Sequence, residues 1–574
     1  MKKKVIRRNS ANSDALAQQG IHPVLARIYA ARDIKRYDEL SSSLSQLLPY
    51  QLLTGIEAAS ALLAEAIARQ QRLLIVADFD ADGATSCAVA IRALKLMGAK
   101  NVDYIVPNRF EYGYGLTREI VELALKRNPD LIITVDNGIS SHEGVELAKH
   151  SGIKVLITDH HLPGSSLPVA DAIVNPNLPG DQFPSKNLAG VGVIFYVMLS
   201  LRATLRVRDW FDEVGIEDPN LAQLLDLVAL GTVADVVPLD QNNRILVSQG
   251  LARIRRNKCC AGVHQLLTIA QRQQSRTVAA DLGFAIGPRL NAAGRLDDMS
   301  QGIECLLTDD QACASAIAAR LDRLNRERRS IEADMQQQAL EALNGLSLNT
   351  EHQYPSGIVL FDECWHQGVI GVLASRIKDR LHRPVIAFAP SAEGEIKGSA
   401  RSVPGLHIRD ILDSIATRYP ELLAKFGGHA MAAGLSLKRG DLNTFKAVFD
   451  QEVAKHVDDE ILQGVMMSDG GLMPDEMTLE VAELIRAGGP WGQGFPEPIF
   501  DGEFTVINKR IVADKHLKMV LGVPETEQMI DAIAFNTIPI DDNEKIKKIN
   551  VVYKLDVNEF RGRTSPQLIV EQIS

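Results

Sequence analysis

The stretch RLLIVADFDADG, residues 72–83, runs five apolar residues into three acids at alternate positions, Asp78, Asp80 and Asp82. The helical pattern ATSCAVAIRALKLMG follows at once, so the segment reads as strand, acidic turn and helix. The order recurs. VDYIVPNR precedes helical TREIVELALK, LIITVDNG precedes GVELAKHSG, and KVLITDHH precedes DAIVNPN. Short apolar runs alternating with amphipathic stretches predict βα units around a parallel sheet. Such sheets bind ligands beyond the carboxyl ends of their strands. Those ends carry Asp78, Asp80, Asp82, Asp136 and the tripeptide Asp159-His160-His161.

Alternate residues of an extended segment share a side. The three carboxylates of DFDADG therefore face one another, and they stay ionised together only where cations neutralise them. Alone, the motif equally describes a solvated acidic loop, and a single histidine would describe a packed core residue. Yet Asp136 and His160 end neighbouring strands, and Asp235 approaches from the helical stretch QLLDLVALGTVADVVPL. Carboxylates with imidazole and no thiolate suit Mn²⁺ or Mg²⁺ rather than structural zinc. This many acids suffices for two ions, an arrangement that serves phosphoester hydrolysis.

The chain has 574 residues, more than one core holds, so three or four domains are expected. Residues 1–70 read as a helical segment and 71–308 as the α/β unit above. Residues 309–348 carry a long helical pattern that reads as a spacer. Residues 349–464 form a second, smaller α/β unit, with strands at GIVLF, PVIAFAP, EIKGSARSV and HAMAAGLSL. From 465 to 574 come five alternating or β-branched runs, which suit a small barrel of oligonucleotide-binding (OB) type or a generic β-sandwich. The net charge of −10 confines any nucleic-acid site to a local basic surface. The cysteines (Cys87, Cys259, Cys260, Cys305, Cys313, Cys364) have no CxxC spacing and read as reduced packing residues in a cytoplasmic protein. The opening MKKKVIRRNS lacks the apolar region of a secretory signal. No apolar run approaches the ~20 residues that span a bilayer, so no membrane is expected.

DFDADG, VDNG, TDHH and GTVADVVPL, in this order, resemble the four motifs of the DHH phosphoesterase superfamily. PNRFEYGYGL, GPRLNAAGR, WHQGVIG and GGHAMAAG are similar to motifs of its RecJ family, bacterial exonucleases that degrade single-stranded DNA from 5′ to 3′. The resemblance covers nearly the whole chain. It implies a multidomain α/β protein: a parallel-sheet DHH domain, a long connecting helix, a smaller α/β DHH-associated domain and a C-terminal OB-fold β-barrel. It implies metal-dependent release of mononucleotides in DNA recombination and repair. The implied partners are single-stranded DNA with a 5′ end, a single-strand-binding protein and a helicase.

Motif by motif, Asp80, Asp82, Asp136, His160 and Asp235 correspond to metal ligands for Mn²⁺ or Mg²⁺. His161 corresponds to a residue that contacts the scissile phosphate or supports a ligand. For Asp78 and Asp159, ligation and support both stay open. Arg109, Ser399 and Arg401 correspond to the groups that hold a 5′-terminal phosphate, Arg289 and Asn291 line the active-site side, and His429 faces the substrate. Ala77 and Ala400 stand where glycine is common in the family; both are small. The competing expectations are a DHH phosphodiesterase of short oligonucleotides or cyclic dinucleotides, and a non-catalytic replication scaffold. The terminal strands argue against the first and the full set of motif acids against the second.

RLDRLNRERR places Arg320, Arg323, Arg326, Arg328 and Arg329 on the long helix. It reads as a solvated face with i,i+4 pairs, the alternative being phosphate contact near the cleft. In the terminal strands Lys509, Arg510, Lys515, Lys518, Arg561 and Arg563 could track a DNA backbone, with Phe504, Phe535 or Tyr553 either stacking bases or packing the core. Trp210, Trp365 and Trp491 read as packing residues.

Overall fold

The computed structural model describes residues 3–108, 114–347, 354–391, 394–423, 425–537, 548–560 and 562–573. The chain opens with a short strand, β1 (Lys4–Arg7). Next, β2 (Leu73–Ala77), β3 (Val102–Ile105), β4 (Leu131–Val135), β5 (Lys154–Thr158) and β6 (Ala172–Val174) form a sheet in the order β3-β2-β4-β5-β6, every pair parallel. Strands β2 and β4 are buried at every position, as expected of parallel strands covered on both faces. The period of two divides their side chains. Leu73, Ile75, Ala77, Ile133 and Val135 enter the main core with helices Ile56–Ala68, Ala81–Leu96 and Gly190–Val207. Leu74, Val76 and Ile132 enter a second core with helices Arg118–Leu125 and His142–His150. The strand order reverses between β2 and β4, so the crevice for a ligand opens at their carboxyl ends.

Helix Gln311–Ser347 has 37 residues and extends about 55 Å. Its first half gives Ala318 and Leu321 to the main core. Its second half gives Met335, Ala339 and Leu343 to the core of the next sheet. That sheet contains β7 (Ile358–Phe361), β8 (Val385–Pro390), β9 (Glu395–Arg401), β10 (Lys425–Gly428) and β11 (Ala432–Lys438), in the order β10-β11-β9-β8-β7. Only β7 and β8 run parallel. Val385, Ala387 and Ala389 face helix Ile370–Leu381, while Ile386 and Phe388 face helices Ile408–Arg418 and Leu442–Ala454.

Strand β12 (Val465–Ser468) pairs in parallel with β1. The last five strands, β13 (Phe500–Val512), β14 (His516–Gly522), β15 (Met529–Ala534), β16 (Lys548–Phe560) and β17 (Arg563–Ile573), close into a barrel in the order β13-β14-β15-β17-β16. Closure decides against the sandwich. Phe500, Phe504 and Tyr553 fill the barrel interior, so Phe504 and Tyr553 are core residues, whereas Phe535 is 51% exposed.

The helical reading of residues 1–70 holds for Pro23–Ala30 and Ile56–Ala68 but not for the start, where Lys4–Arg7 is a strand. Val5 and Ile6 favour extended backbone, and their partner strand lies near the far end of the chain, beyond any local pattern. Helix Gly190–Val207 is long and apolar enough to cross a membrane, but it packs inside the main core. The tryptophans do pack: their indole N–H groups donate to Met97 O, Gln338 Oε1 and Ile485 O. All six cysteines are free.

The amino-terminal segment is fixed to the connector before the barrel by a buried ion pair. Arg32 donates to both oxygens of Asp469, at 2.8 and 3.1 Å, and both side chains are 1% exposed. Arg32 also donates to the carbonyls of Ile28 and Pro496. Breaking a buried pair strands a charge, at roughly 3–5 kcal/mol. Asp469→Ala is therefore expected to destabilise the protein by about that amount in denaturant titrations. A loss below about 0.5 kcal/mol, the level of an ordinary surface change, would show that the pair holds nothing.

Candidate active site

The acidic motif is shaped by its own backbone. Asp80 caps helix Ala81–Leu96, its Oδ1 accepting from the N–H groups of Asp82 and Gly83 at 2.9 and 3.0 Å. Asp82 lies in the first turn and is buried. Its two oxygens accept from Gly190 N and Val191 N, at 2.6 and 2.9 Å, where helix Gly190–Val207 begins. These contacts need bare backbone. A Cβ on Gly190 would lie 2.6 Å from Asp136 Cβ, and one on Gly231 would lie 2.2 Å from Thr85 Oγ1 and 2.9 Å from Asp82 Oδ1.

Asp136 follows β4 in the left-handed region, with φ of 63°. The Asn137 amide holds that turn by donating to Val76 O and Val135 O. Asp235 ends helix Leu225–Ala234, and the next residue, Val236, has φ of 64°. A β-branched residue in that region is strained, which marks a backbone held by its surroundings.

The tripeptide divides its labour. Asp159 Oδ1 accepts from His160 N and His161 N and lies 2.7 Å from His161 Nδ1, while Oδ2 accepts from Ile139 N. Asp159 is thus used up in shaping its own turn and tying it to the loop after β4. Asn177 and Asn175, after β6, donate to the carbonyls of His160 and His161. This leaves His160 facing the acids: its Nε2 lies 3.1 Å from Asp136 Oδ1, 3.5 Å from Asp235 Oδ2 and 4.0 Å from Asp82 Oδ2.

Three overlapping groups bring their ligand atoms within 4.8 Å of one another: Asp82, His160 and Asp235; Asp136, His160 and His161; Asp78, Asp80 and Asp136. Asp136 and His160 each belong to two groups. No lysine or arginine pairs with Asp82, Asp136 or Asp235 among the described residues. Burial, then the charge of Asp80, pushes Asp82 up to about 7. Burial and the neighbouring aspartates drive Asp136 and Asp235 well above the usual carboxylate range. Burial, then the charge of His161, pulls His160 down to about 4. For His161 burial pulls the other way, but the hydrogen bond and charge of Asp159 win and raise it. Asp136 Oδ1 and His160 Nε2 are buried without a hydrogen-bond partner. A neutral imidazole and carboxylates lacking counter-charges fit a divalent cation with oxygen and nitrogen ligands.

Around this centre, Tyr114 donates to Asp136 O at 3.1 Å, and its hydroxyl lies 3.2 Å from His161 Nδ1. Sequence reading passed over Tyr114, Asn175 and Asn177; for the two asparagines, their place just after β6 was the available signal. Asn291 does not reach into the acids: its Oδ1 accepts from Ala81 N at 2.8 Å and so supports the acidic turn. Arg289 does not join them either. Its guanidinium pairs with Asp322 of the long helix and donates to Ala285 O.

The second sheet forms the facing wall. Arg401 Nη1 donates to Ser399 Oγ and Ala400 O, at 3.0 and 2.8 Å, beside Gly371, where a Cβ would lie 2.9 Å from Arg401 Nη2. His429 sits near enough to His161 that, after burial, the charge of His161 helps hold it below the ordinary histidine value. Arg109 and Arg561 lie outside the described residues.

A cavity of about 490 Å³ runs between helix Gly287–Leu296, the long helix and helix Ile370–Leu381, and is lined by Asn291, Arg295, Arg328, Glu332 and Arg376 among others. Arg328 departs from the solvated face expected of its run. It is buried, donating to Glu332 at 2.6 Å and Asn325 at 3.0 Å, because Glu332 also binds Arg376 at 2.8 Å. Arg320 and Arg326 do keep exposed pairs, with Asp297 and Asp322.

The comparisons agree along the chain. The DHH family N-terminal domain matches residues 72–232, the DHHA1 domain 355–455 and the RecJ OB domain 468–572. Sheet, acid cluster and barrel thus define a DHH-family protein with an appended OB domain. The single-stranded-DNA-specific exonuclease RecJ of Escherichia coli is 52% identical over 570 residues, 99% of this chain and 98% of that protein. Its Haemophilus influenzae counterpart is 50% identical over 580 residues, 100% and 99% of the two chains. The chain belongs to the RecJ family. The crystal structure of RecJ in complex with Mn²⁺ from Thermus thermophilus superposes with a TM-score of 0.81 at 30% identity, covering 100% of this chain and 79% of that one. The Mg²⁺ complex gives 0.75 at 28% identity, covering 99% and 78%.

The raised carboxylates set a pH dependence. Without metal, the folded protein binds protons that the unfolded chain has released between about pH 4 and 7, so its stability falls as pH rises through that window. Cations compete with those protons and relieve the repulsion. The gain in melting temperature on replacing chelator with Mn²⁺ should therefore grow from about pH 5 to about pH 8. A gain independent of pH would place metal binding elsewhere.

Proposed function

We propose that this chain is a metal-dependent exonuclease that hydrolyses single-stranded DNA from its 5′ end to mononucleotides in recombination and repair. The observation that carries this reading is the cluster of buried Asp82 and Asp136 with half-buried Asp235 and His160, paired with no lysine or arginine among the described residues, in a chain of the RecJ family. Asp80, Asp82, Asp136, His160 and Asp235 would hold two Mn²⁺ or Mg²⁺ ions, with Asp136 and His160 shared between overlapping donor groups. The bound ions supply a deprotonated water as nucleophile and charge stabilisation at the leaving oxygen.

The protein's own groups do the rest. His161, anchored on Asp159, faces the scissile phosphate, and Asp159 is a positioning residue rather than a ligand. Asn291 fixes the acidic turn through Ala81 N, and Arg289 couples that support to the long helix through Asp322. On the facing wall Arg401 and Ser399, with Arg109, hold the 5′-terminal phosphate through charge-assisted hydrogen bonds. His429 completes the substrate side. The barrel, with Lys509, Arg510 and Lys518 on β13 and β14, binds the strand beyond the cleft.

Two substitutions test the two walls. Asp136→Ala is expected to abolish hydrolysis of end-labelled single strand in Mn²⁺ while thermal stability in chelator stays level or rises, since one repelling charge is gone. Retained turnover would remove Asp136 from the metal set. Arg401→Ala is expected to shrink the preference for a 5′-phosphorylated over a 5′-hydroxyl strand about tenfold or more, as the loss of one charge-assisted contact of roughly 1.5–3 kcal/mol requires. Label released first from the 3′ end would reverse the polarity.

A further inference from the structure

A second cavity, of about 560 Å³, opens at the carboxyl ends of β7 and β8, lined by Glu363, Trp365, His366, Gln367, Ser391 and Lys397 among others. It lies where parallel strands present ligands, yet nothing in the proposed hydrolysis uses it. Its position relative to the phosphate-holding residues follows from strand geometry. Lys397, Ser399 and Arg401 are alternate residues of β9 and share a face. Their partners on β8 are Ala389, Ala387 and Val385, whose side chains lie under helix Ile370–Leu381.

The β11 partner of Arg401 is Ala432, whose carbonyl accepts from His429 N. His429 in turn lies near His161. The order along this face is therefore metal centre, His429, Arg401, Ser399, Lys397 and cavity. Each step of two residues advances about 6.6 Å, a length that two further phosphates span.

The cavity's charge suits anions. Glu363 is neutralised by Arg439. The Lys397 ammonium is exposed and has no ion pair among the described residues. Gln367 is held at the rim by donating to Pro390 O at 2.6 Å, and Trp365 forms an apolar wall fixed by its bond to Gln338.

We propose that this cavity receives the outer phosphates of a 5′-triphosphorylated single strand, with Lys397 as their anchor, so that such ends are cleaved without prior trimming. This rests on the reading that Arg401 and Ser399 hold the 5′-terminal phosphate. The chemistry is unchanged. Water adds to the phosphorus linking the first two nucleotides, and the 3′ oxygen of the first leaves and takes a proton. The first product is then a nucleoside 5′-triphosphate, and the remaining strand carries a 5′-monophosphate.

The test uses the full-length protein with Mn²⁺ and one labelled strand bearing a 5′-hydroxyl, 5′-monophosphate or 5′-triphosphate. Released nucleotides are separated by anion exchange. The wild type is expected to release nucleoside triphosphate from the third substrate. Lys397→Glu should lower the triphosphate-to-monophosphate rate ratio about tenfold, the scale of one charge-assisted contact, and Lys397→Arg should keep it. Lys397 is exposed, so both variants should fold, and their melting temperatures check this. No triphosphate product, or a ratio unmoved by Lys397→Glu, overturns the inference while an Arg401-dependent preference for 5′-phosphate leaves the underlying reading standing. A preference indifferent to Arg401→Ala overturns both.

Discussion

The constraint on which this molecule turns is electrostatic. Asp82, Asp136 and Asp235 are gathered at one crevice, the first two buried, with an imidazole among them and no lysine or arginine paired with them among the described residues. Buried carboxylates are tolerated when protonated, paired or bound to cations. A folding requirement alone would have supplied a guanidinium, as it does at Asp469, where Arg32 meets the carboxylate bidentately. The absence of such a partner among the described residues is therefore a specification for divalent ions, and much of the local backbone serves it.

That service is visible in places where ordinary structural preference is overridden. Asp136 and Val236 take left-handed conformations that glycine would adopt more easily. Gly190 and Gly231, by contrast, are glycines because two helices must approach the acids more closely than a Cβ allows. The N-terminus of helix Gly190–Val207 gives two N–H groups to Asp82, lending it partial positive charge. Asp159 spends one oxygen on its own turn and the other on Ile139 N of the loop after β4, which aims His160 inward and leaves His161 on the rim. The two adjacent rings thus lie side by side, their centroids 4.5 Å apart, with His160 Nε2 turned to the acids and His161 Nδ1 tied to Asp159.

The sequence was most legible where structure is local. The short apolar runs LLIVA and LIITV, and the acids that end them, located the sheet and its crevice because burial on both faces leaves a continuous apolar signature. Family motifs then supplied the proposed ligand set. What stayed hidden depends on partners distant in the chain. Strand β1 exists because β12 pairs with it. The supporting roles of Asn291 and Arg289 depend on Ala81 and Asp322, which no spacing reveals. Arg328 lies in a run that reads as solvated, and it is buried only because Glu332 and Arg376 meet it across two helices.

Those last contacts bear on how an exonuclease of this design measures its product. On the proposed reading, one wall holds the 5′ phosphate and the other carries the metals, so the separation of the walls fixes how many nucleotides lie between end and scissile bond. The long helix belongs to both cores. Cross-links reinforce it: Arg295 donates to Gly368 O, Trp365 to Gln338, and Arg376 to Glu332. Each joins the wall bearing Arg401 to the long helix or to the segment that supports the acidic turn. A Cβ on Gly368 would lie 2.3 Å from Arg295 O, so the two domains meet there backbone to backbone. On that proposed reading product length is a property of interdomain packing rather than of any catalytic group.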